Sequence, residues 1–256
     1  MSSPTEAATR PDFTTSICLE QPLPGNPYVA ERRYISGYNV ADLWRNCHYC
    51  DGLLLLLTGE LPSQPQRRLL EMLLVGLLDP GPRHPAVRAA MLAGVSKSGP
   101  EHLLPLGLLT GSGQRGGALE VENAWAFINS HLQNNPAALA ALCLAEARPT
   151  PGFGSSFGAV EPIWQRLAED LVAVMPEQPV LNWCRDFCRV LHGQNQGWLL
   201  PGLIAAVGLT LGLDARKCLG LWQLALAPAV MAHGMEQTHK PISSNALLRD
   251  DQYDCD

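Results

Sequence analysis

Beyond residue 16 the chain is dominated by long helical patterns, with apolar residues recurring at intervals of three and four. Residues 65–79 carry leucines at 69, 70, 73, 74, 77 and 78, which fall on one face of a helix. Pro80, Gly81 and Pro82 end it. The same periodicity predicts helices over residues 85–95 and 100–109. Residues 120–133 open with acidic residues and set Val121, Ala124, Trp125 and Ile128 on one side. Asn134-Asn135-Pro136 punctuates before a helix over 137–147. Helices over 161–175, 180–191, 199–211 and 215–235 complete the set, with Trp222, Leu224 and Met231 read as core positions. Alternating runs of strand length are almost absent, so the predicted fold class is all-α. Residues 1–16 are polar and rich in Pro, Ser and Thr, and read as a mobile arm. Gly/Pro-rich stretches at 110–118 and 149–158 interrupt the helices, and binding groups concentrate on such loops.

Composition narrows the function classes. The chain has 256 residues, 46% apolar and 16% charged, against about 25% charged in an average soluble protein. That excludes a disordered chain. A formal charge of −6 lacks the basic footprint of a nucleic-acid binder. The apolar run at 52–57 stops at Thr58, Gly59 and Glu60, well short of the roughly 20 residues of a bilayer span. No membrane segment and no apolar leader is read, and the expected compartment is the cytoplasm. Eight cysteines in a chain of this length read as thiols rather than a disulfide framework.

Five segments, in order, resemble the citrate synthase superfamily and its short citryl-CoA-lyase-like branch. Ser36-Gly37-Tyr38-Asn39-Val40-Ala41-Asp42-Leu43 is similar to R/S-G-Y-D-V-x-D-L. The run LLLLTGELP at 54–62 is similar to L-L-x-G-E-L-P, and GSGQRGGALE at 111–120 resembles G-x-x-H-G-G-A. Pro151-Gly152-Phe153-Gly154 matches the start of P-G-F-G-H. GLIAAVGLTLGL at 202–213, then Ala227-Pro228 and Ala232-His233-Gly234-Met235-Glu236, resembles D-G-x-I-A-A-x-L-x-x-L-G followed by A-P-G-x-x-A-H-x-x-E. The resemblance implies a two-domain helical fold with a cleft between the domains. The large domain would comprise 17–135 and 214–256, and the small one 136–213. It also implies a homodimer, to which the leucine face of 65–79 would contribute.

The family's chemistry needs a base for a weakly acidic α-proton and a partner for the enol, acting together. The resemblance places those groups at positions where this chain departs. The histidine before Gly116-Gly117-Ala118 is Arg115. The histidine after Gly154 is Ser155, followed by Ser156. The aspartate position falls on Pro201. A family arginine falls on Leu226, and D-P-R appears as Glu161-Pro162-Ile163. Proline takes no proton, and a serine hydroxyl is no cationic electrophile.

The candidate catalytic residues are therefore Arg115, Ser155 and His192, and the candidate binding residues are Gly116, Gly117, Ser156 and His233. Arg115, in a Gly-rich loop before a helix, suits a carboxylate or phosphate helped by backbone N–H groups; otherwise it is an exposed loop arginine. Glu120 and Glu122, the acids nearest in sequence, are expected to point away from that loop. Ser155 and Ser156 read as an oxygen-binding pair, as a nucleophile without a Gly-x-Ser-x-Gly elbow, or as turn serines. His192, in the polar knot HGQNQ, is a substitute base or part of a helix end closed by Gly193. His233 shares a helix face with Glu236, as a ligand group or a packed histidine. Cys47-His48-Tyr49-Cys50 and the second pair Cys184/Cys188 invite a structural zinc site of four ligands in two paired elements, but the resemblance places both pairs inside helices. They read as thiols, with no metal and no resident cofactor expected.

Two functions follow as expectations. One is a diverged enzyme that binds an acyl-CoA, another thioester or a carboxylate, with altered C–C bond chemistry. The other is a catalytically dead relative that senses a metabolite or partners an active paralogue.

Overall fold

The computed structural model describes residues 14–244 and 250–252; most of the arm expected at 1–16, residues 1–13, lies outside them. The described residues form two compact units, one ending at Ser63 and one beginning at Gln64.

The first unit contains strands β1 (Cys18–Leu23), β2 (Asn26–Ile35) and β3 (Tyr38–Asn39) and helices α1 (Val40–Asn46) and α2 (Tyr49–Thr58). The three strands form one antiparallel sheet in the order β1-β2-β3. This sheet is absent from the sequence expectation, for a physical reason. Nearly every residue of β1 and β2 is exposed, so neither face imposes an alternating apolar pattern. Pro22 and Pro27 further mask the strands, and the register shifts beside Pro22. An Arg33–Glu20 ion pair crosses the hairpin. The Asn39 side chain caps α1 by accepting the Ala41 N–H at 2.8 Å.

The second unit is a helical bundle. It runs α3 (Gln64–Gly76), α4 (Pro85–Val95), α5 (Pro100–Thr110), α6 (Ala118–His131) and α7 (Pro136–Ala145). It continues through the two-residue strand β4 (Phe153–Gly154), α8 (Pro162–Val174), α9 (Pro179–Leu191), strand β5 (Gly197–Trp198), α10 (Leu200–Thr210) and α11 (Ala215–Gln237). The periodic helices appear where the apolar spacing puts them. On α9, Leu181, Cys184, Phe187, Cys188 and Leu191 fall on one stripe and are buried. Every residue of α10 from Pro201 to Gly208 is buried, which explains its nearly continuous apolar sequence. The segment expected as the small domain, 136–213, lies within this unit; there α7 packs on α9, and α10 packs on α6 and α11.

Helix α11 is long and apolar enough to cross a membrane by length and composition alone. It is instead the central strut of the bundle, packed on α4, α5, α6 and α10. Gly94 of α4 lets it approach closely, since a Cβ there would lie 2.2 Å from the Gly234 carbonyl oxygen. Trp222 is buried as expected, whereas Leu224 and Met231 face outward, 41% and 40% exposed. The leucine face of α3 also differs from expectation. Leu69, Leu70, Leu73 and Leu77 are buried and α3 packs on α8 and α10, so most of this face is consumed by the chain's own core, while Leu78 stays 45% exposed.

Candidate functional site

A pocket of about 900 Å³ opens within the second unit. Its lining comes from the starts of four helices. The residues 80–85 lead into α4, Arg115, Gly116 and Glu120 surround the start of α6, Glu161 precedes α8, and Leu199, Leu200 and Pro201 open α10. Ser155, Ser156, Phe157 and Trp164 complete it. Helix N-termini carry positive partial charge, so their gathering around one cavity favours an anion there. Proline stands at the first or second position of α4, α8 and α10, where its missing N–H costs the helix nothing.

Strands β4 and β5 hold two of these starts together. Phe153 pairs with Trp198 and Gly154 with Gly197, and the Leu199 N–H donates to the Gly152 carbonyl at 3.1 Å. The approach demands glycine. Gly152 has φ +82°, and a Cβ on Gly202 would lie 2.1 Å from the Gly152 oxygen. Behind the brace, Phe127, Phe153, Trp183, Phe187 and Trp198 form an aromatic cluster, with Trp183 stacked on Phe187 at 5.1 Å.

The loop 111–117 is clamped from three sides. The Trp222 indole N–H donates to the Gly111 carbonyl at 2.9 Å. His84 caps α4: its Nδ1 accepts the Ala86 N–H at 3.3 Å. Nε2 therefore carries the ring proton and donates to the Gly116 carbonyl at 3.1 Å. The Glu120 carboxylate accepts the Gly116 N–H at 2.6 Å. That last contact corrects the sequence expectation. Glu120 is the third residue of α6 after the cap Gly117, and from there its side chain reaches back over the helix start, as in one half of a capping box. The Gly116 N–H is thus already engaged by the protein.

His84 lines the pocket and is absent from the sequence-based candidates; a histidine before proline at a helix start was its signal. Burial pushes its pKa below the ordinary 6.5, with the Gly116 carbonyl pulling partly back. Its effect on stability has a definite sign. The unfolded chain takes up the proton first as pH falls, so stability is full above about 6.5 and drains away below it. His84→Asn keeps a cap acceptor and is expected to flatten the acid side of a melting-temperature profile. Parallel wild-type and variant profiles would contradict this.

The structure brings Arg115, Gly116, Ser155, Ser156 and Pro201 to one pocket and leaves the two histidines elsewhere. Gly117 is the buried N-cap of α6. His192 sits on a short 3-10 turn, where Nε2 meets Gln165 Oε1 of α8 at 2.9 Å. It is exposed and does not line the pocket, and Asn195, at φ +54°, is the left-handed residue that closes this turn rather than Gly193. His233 bonds Asp79 Oδ2 at 3.0 Å, while Asp79 Oδ1 accepts the Gly81 N–H at 2.8 Å. Burial alone would raise the Asp79 pKa, but these two hydrogen bonds outweigh it and hold the carboxyl below its ordinary value. His233 thereby anchors residues 79–81 instead of lining the pocket.

Arg83 and Arg115 are exposed and make no hydrogen bond or ion pair among the described residues. The cysteine motifs go to packing. His48 is the N-cap of α2 and donates its backbone N–H to Asp51 Oδ2 at 2.9 Å. Cys184 and Cys188 are buried, and burial pushes both thiols well above their ordinary value. Among the described residues no three His, Cys, Asp or Glu side chains gather where a metal ion could sit.

No protein-family model and no curated protein matches the sequence. Solved structures do match in shape. Citryl-CoA lyase from Hydrogenobacter thermophilus superposes with a TM-score of 0.79 and 23% identity over 96% of each chain. ATP citrate lyase from Methanothrix soehngenii, in complex with citrate and coenzyme A, gives 0.73 and 16%, covering 100% of this chain and 44% of that one. Citrate synthase from Thermotoga maritima gives 0.56 and 14%, over 94% and 92%. The chain is, in its fold, a mostly helical protein of the citrate synthase and citryl-CoA lyase kind.

Proposed function

We propose that this protein binds a small anionic acyl compound in the pocket, a CoA thioester, another thioester or a carboxylate, and does not run the standard citrate synthase or citryl-CoA lyase reaction. One observation carries the reading. Two guanidinium groups, Arg83 and Arg115, line a pocket built from helix starts and have no protein partner among the described residues. A guanidinium keeps its charge at any physiological pH and suits carboxylate or phosphate geometry. The citrate and coenzyme A of the similar ATP citrate lyase structure support an anion or thioester as the ligand class.

The geometry favours a metabolite-sensing or partner role over repurposed catalysis. His192 and His233, the bases that a substitute mechanism would use, point their ring nitrogens at Gln165 and Asp79. Leu199, Leu200 and Pro201 stand at the α10 end of the pocket. A thermal-shift screen of CoA, CoA thioesters, citrate and simple carboxylates tests the reading. A ligand at a hundred times its Kd adds about 2.7 kcal/mol to stability. Arg115→Ala is expected to weaken the binding of any hit by about 1.5–3 kcal/mol. Stability without ligand should change by less than about 0.5 kcal/mol, because the side chain is exposed. Unfolding of the unliganded variant with affinity intact would make Arg115 structural and reject the anion site.

A homodimer is the proposed assembly. Leu106 and Leu109 of α5, 42% and 75% exposed, are apolar residues that the chain's own core leaves uncovered. Light scattering should give twice the chain mass, and Leu109→Glu should halve it. A monomer at micromolar concentration contradicts the proposal.

A further inference from the structure

The lining of the pocket divides by chemistry, and the division narrows the ligand class proposed above, on which this inference rests. The loops 80–85 and 111–117, tied by the His84–Gly116 hydrogen bond, bring Arg83 and Arg115. The starts of α8 and α10 bring Trp164, Leu199, Leu200 and Pro201. That second region offers an anion little. Pro162 and Pro201 have no N–H, and the Leu199 N–H is spent on Gly152 at 3.1 Å. The charged side chain it does carry, Glu161, is itself a half-buried carboxylate. A second or third carboxylate on a ligand would lose its water there, would find only neutral donors such as the Trp164 indole N–H and the Ser155 and Ser156 hydroxyls, and would meet a like charge at Glu161.

We propose that the pocket takes an amphipathic monocarboxylate: one carboxylate head held by Arg115 and Arg83, and an aliphatic or aryl body laid against Trp164, Leu199 and Leu200. Polycarboxylates are disfavoured by the same apolar region that receives the body. Burial of each methylene there strengthens binding, while a terminal charge on the body weakens it.

Isothermal titration of the full chain with acetate, butanoate, hexanoate and octanoate, beside octanedioate and citrate, tests this. Affinity is expected to rise about fourfold for each methylene buried beyond butanoate, and octanoate to exceed octanedioate by about tenfold or more. Leu200→Gln should flatten the chain-length slope by weakening octanoate more than butanoate, with Leu199→Gln as a second variant should the first fail to fold. Arg115→Ala should weaken every acid alike. Tighter binding of citrate or octanedioate than octanoate, still sensitive to Arg115→Ala, overturns the monocarboxylate and leaves the anion pocket standing. A slope unchanged in both leucine variants also overturns it. Binding of none of the acids, or binding indifferent to Arg115→Ala, removes both.

Discussion

Mixed with acetyl-CoA and oxaloacetate, the purified protein is expected to release no CoA above background, and given citryl-CoA it is expected to form no oxaloacetate. The resemblance in sequence places the proton-transfer and electrophile-binding groups at Arg115, Ser155 and Pro201, and all three line one pocket. Pro201 is buried at the start of α10 and has nothing to ionise. Arg115 cannot accept a proton. His84, the imidazole at the pocket, has both ring nitrogens engaged, with the Ala86 N–H and the Gly116 carbonyl. Taking up a substrate proton would break the first of these bonds and leave a charge that burial disfavours. Each general acid or base contributes about 10²–10⁴ in rate. From a typical turnover of about 10 s⁻¹, loss of two such groups leaves at most about 10⁻³ s⁻¹. A thiol-reagent assay of CoA release checks the condensation and an oxaloacetate assay checks the cleavage; turnover near one per second in either would overturn the expectation. Restoring a carboxylate alone, with Pro201→Asp, is not expected to rescue the rate, since Arg115 and Ser155 remain.

Trp222→Ala is expected to be the most damaging single change to stability, at about 3–5 kcal/mol. Trp222 is among the largest fully buried side chains, 1% exposed, on the helix that packs against four others. Its removal leaves a cavity in the centre of the bundle. It also removes the indole donor to Gly111 and the ring packed 5.8 Å from His84. The loss is a large share of the roughly 5–15 kcal/mol that holds a domain together. Trp222→Phe separates the contributions. It keeps most of the volume and deletes the hydrogen bond, and should cost about 1–2 kcal/mol. The Ala118 N–H still serves the Gly111 carbonyl at 3.0 Å, which limits that cost. Chemical denaturation of the two variants measures both figures; a Trp222→Ala loss below 1 kcal/mol would show that the core refills.

Much of the helical architecture is legible in the amino-acid order, because a helix buries a stripe that recurs every three to four residues. Leu69, Leu70 and Leu73 on α3, and Leu181, Cys184, Phe187, Cys188 and Leu191 on α9, are where that spacing puts them. The β1–β2 hairpin escaped notice because its residues are exposed on both faces and leave no such mark. The candidate site was legible where a motif names its own residues: Arg115, Ser155, Ser156 and Pro201 do share a pocket.

Side-chain destinations were decided by the tertiary structure. Glu120 turns back to Gly116 because its position on α6 aims it over the helix start. His84 enters the site through a carbonyl 32 residues away, and His233 leaves it for Asp79, 154 residues away. Periodicity and turn chemistry are set by neighbours in the chain and can be read from order alone. Which polar groups meet depends on how the loops close over the packed helices, and contacts across such separations leave no local pattern to read.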